Sequence, residues 1–295
     1  MKTGYIALVG RPNVGKSTLL NHLVGQKISI ISRRPQTTRH RILGIHTTPE
    51  AQYVYVDTPG IHDSEKRAMN RYLNRTAVSS LLGVDVVVWL VDRAEWIQED
   101  ALVVKRLHEA GLPVILAINK VDRLEDKSEL LPFMEQAHKT YPFVDIVPVS
   151  ALRGINLETL EQVIRQHLPE QDAIYPEDQI TDRPERFFAA EIIREKLLHR
   201  LSQELPHALT VQIELFRNER HMTRIHATIW VERESQKPIV VGKGGQVLKR
   251  VGEEARHDLE QLLERKVFIN LWVKVKDGWS DNERTLQGLG YHDGP

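Results

Sequence analysis

The stretch Gly10-Arg11-Pro12-Asn13-Val14-Gly15-Lys16-Ser17-Thr18 constrains this chain more than any other. It matches G-x-x-x-x-G-K-[ST], and its setting suits the pattern. Tyr5-Ile6-Ala7-Leu8-Val9 before it is a short apolar run of the kind that forms a buried parallel strand. The residues from Ser17 to Val24 have helical spacing. Gly10 and Gly15 let successive N–H groups turn inward, and a helix N-terminus favours negative charge, so the three parts together suit a polyphosphate. Lys16 is expected to reach the β- and γ-phosphates and the Ser17 hydroxyl to bind Mg²⁺.

Further along, Gln26 to Arg41 is rich in Ser, Arg and Thr and is expected to form an exposed loop. Its Thr37-Thr38 pair could give a second hydroxyl to the metal; such a pair also suits a turn or a strand start. Ile42–Thr47 and Tyr53–Val56 read as a hairpin running into Asp57-Thr58-Pro59-Gly60. Asp57 could hold Mg²⁺ through water. The Gly60 N–H could bond a γ-phosphate and lose that partner on hydrolysis, the behaviour of a nucleotide-state switch.

Two more apolar runs, Val84 to Asp92 and Pro113 to Ile118, read as buried strands, and the second ends in Asn119-Lys120-Val121-Asp122. An Asp carboxylate accepts from the N1–H and N2 amine of guanine, whereas adenine would leave it unpaired. Asn119 would brace the loop and reach N7, and the Lys120 stem would cover the base. Asp145 to Ala151 is a last strand whose Ser150-Ala151 turn can offer an N–H to guanine O6, and Ile155 to Leu168 has amphipathic spacing. Strands alternate with helical stretches such as Ala101–Ala110 and Ser128–Lys139, the pattern of a parallel sheet covered on both faces. Each motif follows a strand's carboxyl end, where open α/β sheets bind ligands.

These four motifs resemble those of the translation-associated small GTPases, and Gln36-Thr37-Thr38-Arg39-His40 resembles the second motif of the Era family. The resemblance implies Thr38 as the Mg²⁺-binding Thr, with Thr37 the alternative. It also implies Lys16, Thr38 and Gly60 as the residues acting on the γ-phosphate. Ras-like proteins place a water-orienting Gln directly after D-x-x-G; here Ile61 stands there, so slow hydrolysis is expected. In some related GTPases an Asn at the position of Asn13 helps bind K⁺. The competing reading of Asn13 is a turn residue.

The remaining residues divide differently. Leu168 to Asp178 carries two prolines and four acids and reads as a connector, continued to Glu185. Phe187 to Leu198 has helical spacing; Ala208–Phe216 and Thr223–Val231 alternate as half-buried strands. A short run, Pro238 to Val241, leads into Gly242-Lys243-Gly244-Gly245, then a long helix Gln246–Leu263 and a strand Val267–Val275. This order, with G-x-x-G between helices, resembles a type II KH domain. Glycines allow close approach to a single-stranded RNA backbone, and Lys237, Lys243, Lys249 and Arg250 would favour its phosphates. No acidic residue lies between Lys237 and Arg250, so the formal net charge of +0 conceals a local basic patch. Ile239, Val240, Val247, Leu248 and Val251 could floor a base site, although ordinary core packing suits most of them. His199, His207, His221 and His226 lack a metal-binding spacing. Ile193-Arg194-Glu195-Lys196, Val231-Glu232-Arg233-Glu234, Leu271 to Lys276 and the tail around Trp279 and Tyr291 also resemble the Era family's second domain.

Composition sets bounds. The chain has 295 residues, enough for two domains, and no cysteine, which excludes disulfides and thiolate chemistry. No apolar run approaches a membrane span, and Met1-Lys2-Thr3-Gly4 leaves no room for a signal peptide before the first strand. The expected architecture is a P-loop GTPase domain over 1–170, with a parallel-dominated sheet and helices on both faces. A linker over 171–185 and an α+β type II KH domain over 186–295 follow. By resemblance, GTP and GDP with Mg²⁺, and K⁺ as a further ion, are the ligands. The RNA would be 16S rRNA near its 3′ end, the role 30S subunit biogenesis, and the alternative a GTP-dependent protein acting on another RNA. A tRNA-modification factor is disfavoured by the absence of Cys, and a decayed GTPase domain by intact Lys16, Ser17, Asp57 and Asp122. A cytoplasmic monomer with peripheral inner-membrane association is implied by resemblance alone.

Overall fold

The structure is a computed structural model that describes residues 1–32, 34, 36–60, 67–98, 100–201, 205 and 208–292. Two compact units emerge. The first comprises Met1–Ser29, Thr38–Lys66 and Asn70–Asp182; the second comprises Ile30–Thr37, Arg67–Met69 and Arg183–Pro295.

In the first unit, β1 (Lys2–Val9) leads through the glycine loop to α1 (Lys16–Val24). Leu19, Leu20 and Leu23 bury one stripe of α1, each contributing about 1.5–3 kcal/mol. The helix stops at Gly25, whose φ of 76° takes the left-handed conformation open to glycine. Strands β2 (Ile42–Thr47) and β3 (Ala51–Asp57) form the expected hairpin. Then come α2 (Ala68–Ser79), β4 (Val86–Asp92), α3 (Asp100–Ala110), β5 (Val114–Asn119), α4 (Leu130–Thr140), β6 (Asp145–Pro148) and α5 (Leu157–Gln166).

The sheet order is β2-β3-β1-β4-β5-β6, and every pairing except β2–β3 is parallel. The chain places β3 on one side of β1 and β4 on the other. The carboxyl end of β1 is therefore the crevice where strand order reverses, and the glycine loop begins there. The connector residues do not hang free: Ile45 N–H donates to the Ile180 carbonyl at 2.8 Å, and the Gln52 amide bonds Ile174 and Tyr175.

The second unit contains α6 (Glu185–Arg200), β7 (Leu209–Asn218), β8 (Met222–Val231), α7 (Lys237–Val241), α8 (Gln246–Leu263), β9 (Lys266–Val275) and α9 (Glu283–Gly288). Its sheet runs β7-β8-β9, with β7 and β8 antiparallel and β8 and β9 parallel. Apolar side chains of α6 and α8, among them Ile193, Leu197, Val251 and Leu259, pack on Ile225, Ala227, Ile229 and Val273 of the sheet. The order α6-β7-β8-α7-α8-β9 is that expected of a type II KH domain. The helix α2 and the short helix α9 were not anticipated; neither carries a motif.

The exposed-loop reading of residues 26–41 needs correction. Among its described residues no regular element forms, but Ile28, Ser29, Ile30 and Arg39 are buried. Asn21 of α1 is the cause: its side-chain oxygen accepts from the Ile28 and Ser29 N–H groups at 2.9 and 2.8 Å. Within the second unit, Ile31 N–H donates to Glu195 at 2.9 Å, and Arg194 donates to the Thr37 carbonyl.

Candidate nucleotide and RNA sites

Both loop glycines are required by geometry. Gly10 has φ 144° and Gly15 φ 106°. A Cβ on Gly10 would lie 2.5 Å from the Leu90 carbonyl oxygen, and one on Gly15 would lie 2.3 Å from Asn119 Nδ2. The backbone is thus free to curl around a ligand while Asn119 presses against it. Asn13, exposed with φ 65°, and Pro12 form the outer turn, and Val14 anchors it in the interior. Arg11 is tied to the buried carboxylate of Asp100 at 2.6 Å.

Lys16 Nζ donates to the Gly10 and Arg11 carbonyls at 2.8 and 2.9 Å, inside the loop it serves. Burial pushes its pKa down to about 8, against the pull of Asp57. Such a buried cation gains strongly from an arriving phosphate.

Beside it, two hydroxyls meet one carboxylate and a third hydroxyl joins the first of them. Ser17 Oγ and Ser29 Oγ each donate to Asp57 Oδ2 at 2.9 Å. Since the Ser17 proton is used there, Thr38 is the donor in the 2.9 Å contact between Thr38 Oγ1 and Ser17 Oγ. Asp57 is fully buried, and burial raises its pKa although Lys16, Ser29 and Ser17 oppose this. Its Oδ1 has no hydrogen-bond partner. A buried, unpartnered carboxylate oxygen among hydroxyls is an all-oxygen donor set, which suits a hard divalent cation such as Mg²⁺. Thr37 is turned elsewhere, its hydroxyl donating to the Arg34 carbonyl at 2.6 Å. The geometry therefore brings Thr38, not Thr37, to Ser17, which itself reaches Asp57. Thr58 donates to the Leu8 carbonyl at 2.9 Å, and Gly60 lies so close to Pro12 that a Cβ would sit 2.8 Å from its Cγ. Pro59 lies between them in sequence. Ile61 falls outside the described residues.

Asn119, Lys120 and the Ser150-Ala151 turn converge on the loop. Asn119 Nδ2 donates to the Val14 carbonyl at 2.7 Å while its Oδ1 accepts from Ala151 N–H at 2.9 Å. One amide thereby joins the phosphate loop to the Ser150-Ala151 turn. Lys120, at φ 64°, donates to the Asn13 carbonyl at 2.9 Å and to Asp92 at 2.7 Å. Ser150 Oγ donates to Asp122 at 2.5 Å, holding one carboxylate oxygen. Val121 is buried beneath. Asp122 itself is exposed, so the penalty for a mismatched base arises when that base covers the carboxylate. Thr18 follows Ser17 in the first turn of α1. Sequence reasoning missed Ser29, Asp92, Asp100 and Asn21, all supporting residues outside the motifs.

In the second unit, Gly242, Gly244 and Gly245 have φ of 74°, 59° and 76°. Gly242 is closely packed, a Cβ meeting Val247 Cγ2 at 2.4 Å, whereas Gly244 and Gly245 face open space. Lys237, Lys243, Lys249 and Arg250 are all exposed, Lys249 with Glu253 at 4.0 Å. Of the proposed apolar floor, Val240 and Val251 are core residues, Val247 and Leu248 pack partly against it, and Ile239 is exposed. A groove of about 500 Å³ opens at the G-x-x-G, with Gly245 at its rim, between α8 (Leu248, Gly252) and β9 (Phe268, Ile269, Leu271). The β9 side of this groove was not anticipated; two exposed aromatics in one strand, Phe268 and Trp272, were the available signal. Among the described residues no cluster of three or more His, Asp and Glu could hold a metal; His207 lies outside the described residues.

Comparison with known proteins agrees with this geometry. The family model described as "50S ribosome-binding GTPase" matches residues 5–120, and the KH-domain model matches residues 204–280. GTPase Era of Ectopseudomonas mendocina is 56% identical over 292 residues, covering 99% of this chain and 98% of that protein. GTPase Era of Pseudomonas aeruginosa is 54% identical over 292 residues, covering 99% and 96%. Two solved structures superpose with a TM-score of 0.96 at 41% identity, each covering 99% of both chains. One is a point variant of Era from Aquifex aeolicus bound to GDP and AlF4⁻; the other is Era with MgGDPNP and nucleotides 1506–1542 of 16S ribosomal RNA. With both units matched in order and nearly the whole chain covered, this protein belongs to the Era family of GTPases.

Proposed function

We propose that the first unit binds and hydrolyses GTP as a switch and that the second binds the 3′ region of 16S rRNA during small-subunit biogenesis. The work divides over residues 1–170 and 186–295, with 171–185 joining them. The observation that carries the reading is the single amide of Asn119, which links the phosphate loop to the Ser150-Ala151 turn beside Asp122. It makes phosphate and guanine recognition one rigid construction.

Gly10 to Thr18 cradle the phosphates, with Lys16 giving up its carbonyl partners for phosphate oxygens. Ser17, Thr38 and Asp57 hold Mg²⁺, which would offset charge on the β- and γ-phosphates. Thr38 and the Gly60 N–H sense the γ-phosphate, and Thr58 and Pro59 fix the approach to Gly60. Thr38 continues directly in sequence from Ile30–Thr37, which group with the second unit. Asn13, exposed at the outer turn, is the residue that would hold K⁺; equal turnover in K⁺ and Na⁺ would reject this. In the second unit the G-x-x-G with Lys237, Lys243, Lys249 and Arg250 takes the RNA backbone. No described helix is long and apolar enough to cross a membrane; peripheral membrane association and a monomeric state rest on resemblance alone.

The decisive test is nucleotide preference. Asp122→Asn should lose GTP affinity and gain xanthosine triphosphate affinity, each by at least about tenfold, because the exchanged amide matches the O2 of xanthine. Wild-type protein that took up ATP as readily as GTP would sink the assignment.

A further inference from the structure

The three-stranded sheet of the second unit has one face covered by α6 and α8. Its other face, over β8 and β9, has an unusual composition. Side chains at the even positions 222–230 of β8 and 266–274 of β9 include no acid. Phe268 and Trp272 stand there 42% and 41% exposed. Around them lie cations. Arg224 is 5.0 Å above the Phe268 ring, and Lys274 and Lys276 are 5.7 and 5.6 Å from the Trp230 ring. His226 and Trp272 meet in a T-shaped contact at 5.3 Å, and Trp272 keeps 41% of its surface exposed. Glu219 lies 3.1 Å from Arg224.

The geometry points to this face as a second RNA site, a stacking platform for single-stranded bases that continue from the groove across the β9 edge. It rests on the groove itself being an RNA site. Three observations argue for it. Exposed aromatic rings flanked by cations are what sequence-tolerant binding of a single strand requires: π-faces for bases and positive charge for phosphates. β9 is the edge strand, so nothing in the sheet lies beyond it. And Phe268 belongs to both surfaces, lining the groove beside Ile269 and Leu271 while paired in register with Arg224 on the far face. A strand leaving the groove past Phe268 meets Trp272 next and the Lys274 and Lys276 ammonium groups beside it. An acidic protein segment would satisfy the cations but would leave the exposed aromatic surface unused.

The test uses the full chain with a non-hydrolysable GTP analogue and Mg²⁺, and measures fluorescence anisotropy of labelled RNA. The RNAs are nucleotides 1506–1542 of 16S rRNA, the fragment held in the Era complex, and successive truncations down to the four nucleotides a KH groove clamps. Trp272→Leu should weaken the long RNA at least about fivefold, the low end for one stacked base, and leave the four-nucleotide RNA unchanged. Trp272→Phe should restore most of the loss. Lys274→Gln should lower the salt dependence for the long RNA only. Lys243→Asp should weaken both RNAs. Wild-type affinity of Trp272→Leu for the long RNA, with Lys243→Asp impaired, would overturn the platform while leaving the groove intact. Equal losses on both RNAs would place Trp272's effect in the groove and also overturn it. Normal RNA affinity with weakened association to 30S particles would assign the face to a protein instead. If Lys243→Asp altered neither RNA, the groove reading itself would fail.

Discussion

The nucleotide site and the RNA site solve recognition in opposite ways. In the first unit nearly every functional side chain is already held: Lys16 by two carbonyls, Asp57 by two hydroxyls, Asn119 at both ends of its amide, Asp122 by Ser150. In the second unit the lysines and Arg250 around the G-x-x-G are exposed, and Gly244 and Gly245 have empty space where side chains would be. A small ligand of fixed shape is best met by fixed donors, because ordering them on binding would cost affinity. A flexible polyanion is met by mobile charges, where each contact is weak and the sum depends on salt. Substitutions should therefore be severe and all-or-none in the first site and graded in the second.

The sharpest break comes at Gly15. Gly15→Ala would force a Cβ to 2.3 Å from Asn119 Nδ2 at φ 106°, so either the loop or the Asn119 amide must move. GTP affinity should fall by about 30-fold or more, on the order of 2 kcal/mol, since strained backbone and a lost brace add. Calorimetry of nucleotide binding checks this; RNA binding by the second unit's groove should not change in the nucleotide-independent component.

The glycines of the second site should then separate from one another. Gly242→Ala meets Val247 Cγ2 at 2.4 Å and should lower RNA affinity about tenfold with GTP affinity unaltered. Gly244→Asn is different: its φ of 59° suits Asn and no atom lies near. Stability by denaturant titration should stay within about 0.5 kcal/mol of wild type. If Gly242→Ala bound RNA normally, the contrast between packed and open glycines would lose its meaning. A smaller effect is expected at Lys243. Lys243→Gln should reduce RNA affinity only several-fold at low salt, and the slope of log affinity against log salt should fall by about 0.7, one phosphate contact on a single strand.

These contrasts also explain what was legible in the sequence. The nucleotide site is written in contiguous loops at strand ends, so Gly10 to Thr18, Asp57 to Gly60 and Asn119 to Asp122 each announce their chemistry. Ser29 and Asp92 could not be found that way. A lone Ser or Asp has no pattern, and only folding brings Ser29 beside Asp57 and Asp92 beside Lys120. The burial of Ile28 to Ile30 was hidden for the same reason, because it depends on Asn21 of a preceding helix reaching two backbone N–H groups. In the second unit the G-x-x-G was visible, but the groove wall was not. Phe268, Ile269 and Leu271 read as an ordinary strand until β9 is seen to be an edge whose two faces border different surfaces.

The smallest effect tests the packing of the first unit away from its ligand. His46 of β2 contacts Glu161 of α5 at 2.9 Å, and Tyr55 donates to the same carboxylate oxygen at 2.8 Å. The hydrogen bond to Glu161 raises the His46 pKa above 6.5, with partial burial opposing it. A raised pKa means the folded state holds the proton more tightly than the unfolded chain. The resulting stability is fully present below pH 6.5 and disappears as pH rises through the higher folded value. His46→Gln keeps a polar group beside Glu161 but cannot take up that proton. Wild type should therefore exceed the variant by roughly 0.5 kcal/mol at acid pH, as befits a partly exposed pair, and the gap should close in alkaline solution. Denaturant unfolding at several pH values measures it. A gap that widened with pH would mean His46 stabilises the fold as the neutral ring, stacked on Tyr53 at 5.9 Å, rather than as the cation.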